Sequence, residues 1–285
     1  MGWNKGVSIA AHRRSCVEIV GGMLRGKVAV ITVEHQVERM RRARFFVRQT
    51  IHVGQTMPLP QFAADHAIRV LRMREGDAIT VFNGDGHDYA GRLTYARKGD
   101  AGVHVDTQAA VDVESPLEVT LVQAIVRSEK MDWILQKATE LGVRRIVPVT
   151  SERSEIKLGE ERADKRHARW LHVIESACEQ CGRGRVPELF MPKSLAQYAA
   201  DLQPVAEGES RLSLHPEAAL GLSEIAAPTS ATIAIGPEGG FSDRDLMVLD
   251  QSGFKRLRLG PRVLRTETAG TVAMAALQAR FGDMA

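Results

Sequence analysis

The sequence predicts an α/β protein in two parts, a small N-terminal β-barrel followed by a larger α/β domain. Three observations predict it. Short β-rich runs fill residues 40–112, strand and helix patterns alternate from 117 to the end, and two late strands each run into a glycine turn and a helix start. Alternation implies a parallel sheet with helices on both faces, since a parallel connection needs a crossover long enough to hold a helix.

The chain has 285 residues, enough for one large domain or two ordinary ones. Hydrophobic residues make up 44% and charged residues 26%, as in water-soluble globular proteins. No apolar run approaches the roughly 18 residues that would cross a bilayer. Cys16, Cys178 and Cys181 make no disulfide framework, so a reducing cytoplasm is the expected compartment. The net charge is +3 and uneven: residues 1–39 hold six Lys/Arg against three Asp/Glu, 40–110 ten against seven, and 111–285 22 against 25. A basic first part suits a polyanionic partner.

Residues 1–39 read as an extension outside the folded part. They lack a continuous apolar core with a cleavage site behind it, which speaks against a secretory signal. The expected natural start is Met40. The barrel follows over 40–112, with RFFV, AITVFNG, YAGRLTYA and GVHVDTQAAV as strands. Asn83 to Gly86, NGDG, is a hairpin signal between two of them, and FAADHAIRVLRM is a short helix. A closed barrel would hide the strand edges. Val113 to Val119 is the expected linker, with Pro116 as its break, and the second domain spans 117–285.

In that domain EVTLVQAIV is a buried strand, and SEKMDWILQKATELG is a helix with Trp133, Ile134, Ala138 and Leu141 on its apolar face. RRIVPVTS, RLSLHP, ATIAIG and FKRLRLG are further strands, and KRHARWLHVIESACEQCG, SDRDLMVLDQSG and TETAGTVAMAALQARF are helices. The face of Trp170, Ile174, Ala177 and Cys181 is core or a dimer surface.

ATIAIGPEGGFSDRDL, Ala231 to Leu246, carries the chemistry. A glycine turn between a buried strand and a helix lies at the carboxyl edge of a parallel sheet, where ligands bind in open α/β folds. Gly236, Gly239 and Gly240 permit positive φ and close backbone approach, and Ser242 with Asp245 reads as a helix cap. An ordinary tight turn would account for one or two of these glycines. The spacing matches no phosphate loop and no dinucleotide fingerprint, which excludes a nucleotide-dependent oxidoreductase. A nucleoside with a zwitterionic tail would suit such a loop.

LRLGPRVLRTETAG, Leu257 to Gly270, repeats the strand, turn and helix pattern. It places Arg262 and Arg265 in the turn, with Thr266 as the cap candidate and Thr268 and Thr271 just beyond. Cys178 and Cys181 form one CxxC at the end of a helix with no second pair, so no metal is expected. Arg183 and Arg185 behind it are candidate RNA contacts. So are Arg41, Arg42, Arg44 and Arg48 around the first strand and Arg69, Arg72 and Arg74 on the short helix, since arginines of this kind usually meet phosphates. A merely solvated face is the plainer alternative.

RFFV with HAIRVLRM, EKMDWILQKATELGV, SERSEIK, RWLHVIESACEQCGR, IGPEGGFS and LGPRVLRTETA, in that order from Met40 onward, together resemble the RsmE family. These are 16S ribosomal RNA uridine-N3 methyltransferases of the SPOUT superfamily. The resemblance implies a PUA-like barrel, a SPOUT α/β domain with a C-terminal trefoil knot, a homodimer and S-adenosylmethionine as methyl donor. It implies the uridine at position 1498 of the small ribosomal subunit as target. Leu214 and Pro216, Ile235, Gly236, Pro237, Gly239 and Gly240, and Leu259, Gly260 and Leu264 would wall the cofactor site, with Thr268 beside them. Arg265, then Arg262, would favour the uridine anion, and Glu267 or Glu238 would accept its proton. A non-catalytic assembly factor and a ribose 2′-O-methyltransferase are the alternatives; the latter lacks its usual Asn-rich motif here.

Overall fold

The computed structural model describes residues 43–97, 100–156 and 160–284. The extension, the Met40 start, Cys16, Arg41 and Arg42 lie outside them. Strands β1 (Ala43–Phe46), β2 (Thr56–Pro58), β3 (Ala78–Phe82), β4 (His87–Arg97) and β5 (Asp100–Ala110) form one sheet in the order β1-β3-β4-β5-β2. β3 and β4 pair antiparallel around the NGDG turn, as expected. The short helix is a single turn, α1 (Gln61–Asp65), that widens into a π-turn over His66–Val70, where the Leu71 amide reaches back to the His66 carbonyl.

Strand pairing does not close this sheet among the described residues, contrary to the expected closed barrel, since β1 pairs only β3 and β2 only β5. The edge of β1 is covered by helix α3 (Glu160–Cys181): the Phe46 amide donates to the Glu179 carboxylate at 2.8 Å. A charged acceptor thus satisfies a backbone donor that an edge strand would otherwise expose. Phe45, Ile79, Val81, Leu93, Val103 and Val105 fill the core of this part. β2 had no sequence signal, because three residues around a proline carry no alternation.

The second part has an eight-stranded sheet. Its path runs β11 (Leu220–Gly221), β13 (Lys255–Arg258), β10 (Glu209–Leu214), β12 (Ser230–Ile235), β6 (Glu118–Ala124), β7 (Val143–Thr150) and β8 (Glu188–Leu189), with β9 (Lys193–Ser194) also on β7. All of these pairings are parallel. Alternate side chains point to opposite faces. Leu121, Ile233 and Ile235 meet α2 (Ser128–Glu140), α3 and α6 (Thr266–Phe281), whereas Val122, Val149 and Ala234 meet α4 (Leu195–Asp201) and α5 (Asp243–Gln251). Helices therefore cover both faces, as the alternation requires.

Two helix-face expectations change. Trp133 is exposed, and Met131, Ile134, Leu135 and Ala138 carry the buried stripe of α2 instead. Trp170, Ile174 and Ala177 are core within the chain, so that face is not a dimer surface.

Candidate functional site

β10, β12 and β13 run parallel near the centre of the sheet, β10 between the other two, so their carboxyl ends meet at one edge. A cavity of about 540 Å³ lies there. Its walls include Leu214 and Pro216 after β10, Ile235, Gly236, Pro237, Gly239 and Gly240 after β12, and Leu259, Gly260 and Leu264 after β13. Glu238, Arg262, Arg265 and Glu267 line it too. One predicted residue is missing: Thr268 does not line the cavity, and Thr266 does. Two residues further along a helix is roughly 200° around its axis, so Thr268 turns away from the wall that Thr266 faces.

The three glycines of the loop do different things. A Cβ on Gly236 would lie 2.9 Å from the Phe241 nitrogen and 3.0 Å from the Gly240 carbonyl carbon, so the loop folds back onto a residue that must lack a side chain. Gly240 has φ of +69°, the left-handed region that glycine enters without cost. Gly239 needs neither: a Cβ there would only touch Arg153 side-chain carbons at 3.7 Å.

Ser242 caps α5 as expected, its hydroxyl accepting from the Asp245 amide at 3.1 Å and the Asp245 carboxylate accepting from the Ser242 amide. Thr266 does not cap α6. Arg265 occupies the cap position without a side-chain bond, and the Thr266 hydroxyl donates to the Gly236 carbonyl at 2.7 Å. Gln123 on β6 completes the link by donating to the same hydroxyl at 3.2 Å. On the other side, Arg153 donates to the Gly239 carbonyl at 3.0 Å and to that of Phe241 at 3.3 Å. The loop is therefore held at its first residue from beneath and at its end from the flank.

The charged lining divides into two groups. Lys130, in the first turn of α2, donates to Glu238 Oε1 at 3.0 Å and lies 3.7 Å from Glu267 Oε2. Burial raises the Glu238 carboxyl, but its backbone hydrogen bond and the Lys130 ammonium outweigh this and hold it below the usual glutamate value. Glu238 is thus kept ionised and engaged, which suits a brace better than a proton acceptor. Glu267 Oε2 is buried with no hydrogen-bond partner. Arg262 and Arg265 are exposed at the mouth, and their guanidinium groups make no hydrogen bond or ion pair among the described residues.

Two predicted RNA contacts are structural. Arg44 is buried over the Phe82 ring, bonded to Asp88 and to the Cys178 and Arg183 carbonyls at 2.6 and 2.7 Å. Arg183 is buried between Glu114 and the Thr139 and Val143 carbonyls. A guanidinium with its donors consumed inside the fold cannot meet phosphate. Arg69, Arg72 and Arg185 are exposed, Arg69 pairing with Asp65 at 3.2 Å.

Sequence reading missed Lys130, His215, Arg153 and Gln123. Lys130 looked like any solvated helical lysine. Gln123 did carry a signal, as the one amide inside the apolar run EVTLVQAIV.

A parallel sheet with a glycine loop and a nucleoside-sized cavity at its carboxyl edge, preceded by a small β-domain, is the layout of a SPOUT-type RNA methyltransferase with a PUA domain. Residues 113–278 match the RNA methyltransferase domain family, and residues 63–103 the RNA methyltransferase PUA domain family. The chain belongs to the RsmE family of ribosomal RNA small subunit methyltransferases. The ribosomal RNA small subunit methyltransferase E of Buchnera aphidicola is 30% identical over 86% of this chain and 99% of its own. A methyltransferase of Legionella pneumophila, solved with its cofactor S-adenosylmethionine, is 38% identical with a TM-score of 0.81, covering 85% of this chain and 99% of that one. The enzyme of the same family from Neisseria gonorrhoeae, solved with S-adenosylmethionine, is 36% identical with a TM-score of 0.78, covering 86% and 100%.

Proposed function

We propose that this rRNA methyltransferase transfers the methyl group of S-adenosylmethionine to N3 of a uridine in 16S rRNA, at position 1498, on the small ribosomal subunit. The observation that carries the reading is the convergence of GPEGG and LGPRVLRTETA around one cavity at the ends of three adjacent strands. The residues fit the cofactor. The cavity has the size of a small-molecule site, its walls are mostly apolar or glycine, and it has no phosphate-loop spacing.

S-adenosylmethionine, when bound, supplies a methyl group already activated by the sulfonium charge. Leu214, Leu259 and Leu264 would pack the adenosine, and the bare backbone at Gly236 would let it approach. Arg265, then Arg262, would offer unengaged guanidinium groups to the uridine oxygens, where negative charge grows as N3 loses its proton. Glu267 accepts that proton; Glu238 braces its loop. Exposed Arg69, Arg72 and Arg185 are the remaining candidates for rRNA contacts. The division into a PUA-like β-domain over 40–112 and a catalytic domain over 117–285, the C-terminal trefoil knot, the homodimer and the cytoplasmic setting belong to the same reading.

The test is transfer from radiolabelled S-adenosylmethionine to small subunits lacking this modification, followed by nucleoside analysis. Label in 3-methyluridine is the expected result. Label on a ribose oxygen overturns the chemistry, and cofactor binding without transfer favours an assembly factor.

A further inference from the structure

Lys130 sits where helix electrostatics alone would not put it. The first turn of a helix carries partial positive charge and favours anions, yet Lys130 is the third residue of α2. Its ammonium reaches into the cavity and meets two carboxylates from two different walls, Glu238 of the glycine loop and Glu267 of α6. The contacts are unequal. At 3.0 Å Glu238 takes a hydrogen bond, whereas 3.7 Å to Glu267 is attraction without one.

We propose that Lys130 is a positioning residue: anchored on Glu238, it holds the Glu267 carboxylate in place by attraction at Oε2 while leaving that carboxylate free of hydrogen bonds, ready to accept the substrate's proton. The identity of that substrate rests on the uridine-N3 reading above; the anchoring does not. The unequal contacts are what makes the arrangement useful. Had Lys130 hydrogen-bonded Glu267 instead, the carboxylate that must take a proton would already be engaged. With Glu238 as anchor, Glu267 Oε2 lies beside the ammonium and takes no hydrogen bond.

Charge balance agrees. One ammonium between two carboxylates carries −1 as a trio. In the proton step the N3–H bond breaks, its proton passes to Glu267 and its electron pair stays on N3. The trio becomes neutral, and Lys130 keeps its anchor throughout. The other charged groups around the cavity are Arg262, Arg265 and His215, with Arg127 close to Glu238 but paired to Glu155. None bridges the two walls, so none replaces Lys130.

Two measurements test this. In cofactor-free protein, the Lys130 ammonium signal in a proton–nitrogen spectrum reports the anchor. It is expected to survive Glu267→Gln and to disappear in Glu238→Gln; survival in Glu238→Gln overturns the anchoring. In turnover, Lys130→Met is expected to lower kcat about 10- to 100-fold with little change in KM or in cofactor Kd, as for a displaced catalytic group. Lys130→Arg is expected to restore most of it. An unchanged kcat, or a loss confined to KM or Kd, overturns the positioning role. If the wild-type protein methylates no uridine while the ammonium signal behaves as expected, the uridine reading fails and the anchor stands.

Discussion

The Thr266 hydroxyl donates to the Gly236 carbonyl at 2.7 Å, joining the first turn of the last helix to the first residue of the glycine loop. Two segments 30 residues apart are locked at the floor of one cavity. Thr266→Ala leaves the Gly236 carbonyl and the Gln123 amide short of a partner in a buried setting. The expected cost is about 1–3 kcal/mol of stability, with weaker S-adenosylmethionine binding. Thr266→Ser keeps the hydroxyl and should restore both, as read by denaturant melts and calorimetry.

Gly236 and Gly239 should respond differently to alanine. At Gly236 the new methyl meets backbone at 2.9 Å, which cannot move without dragging the loop. Cofactor binding should fall more than about tenfold, the scale of 1.4 kcal/mol. At Gly239 the methyl makes ordinary contact with Arg153, so the Kd should stay within about twofold of wild type, well under that scale. Calorimetric Kd values for the two variants check the contrast.

Arg44 and Arg185 separate structure from binding. Arg44→Met breaks a buried ion pair with Asp88 and removes the donors to the Cys178 and Arg183 carbonyls, and should cost about 3–5 kcal/mol in chemical denaturation. Arg185→Ala, on the surface, should shift stability by no more than about 0.5 kcal/mol. It should instead weaken small-subunit binding and flatten its salt dependence.

Glu179 makes stability depend on pH. Burial pushes its carboxyl above the usual value, despite the Phe46 amide and the charges of His172, His66 and Arg44. A carboxyl raised in the folded state binds more protons folded than unfolded, so its contribution falls as pH rises from the ordinary glutamate range through the raised value. Glu179→Gln retains an acceptor for the Phe46 amide without the charge. The variant should melt higher than wild type at pH 8, with the gap closing as the pH falls to the ordinary glutamate range.

Much of this was legible in the sequence, and the reasons differ by element. β12 and α5 could be read because a buried apolar run, a glycine turn and a Ser242–Asp245 cap are local signals. β2, β8, β9 and β11 could not, since two or three residues hold no periodicity. The wall residues were readable because they flank strand ends. Lys130 was not, because the carboxylates that give it meaning lie 108 and 137 positions away in the chain.

By itself the sequence determined the elements, their alternation, the glycine loop and the family, because caps, turns and hydrophobic period act over a few residues. Only the tertiary structure decided which arginines are available. Arg44 and Arg183 read like Arg69 and Arg185, yet burial consumes their donors inside the fold. It likewise decided that Thr266, not Thr268, faces the cavity, and that Glu238 takes a hydrogen bond from Lys130 while Glu267 Oε2 takes none. Those distinctions depend on angles around a helix and distances between chain-distant groups, which no local pattern records.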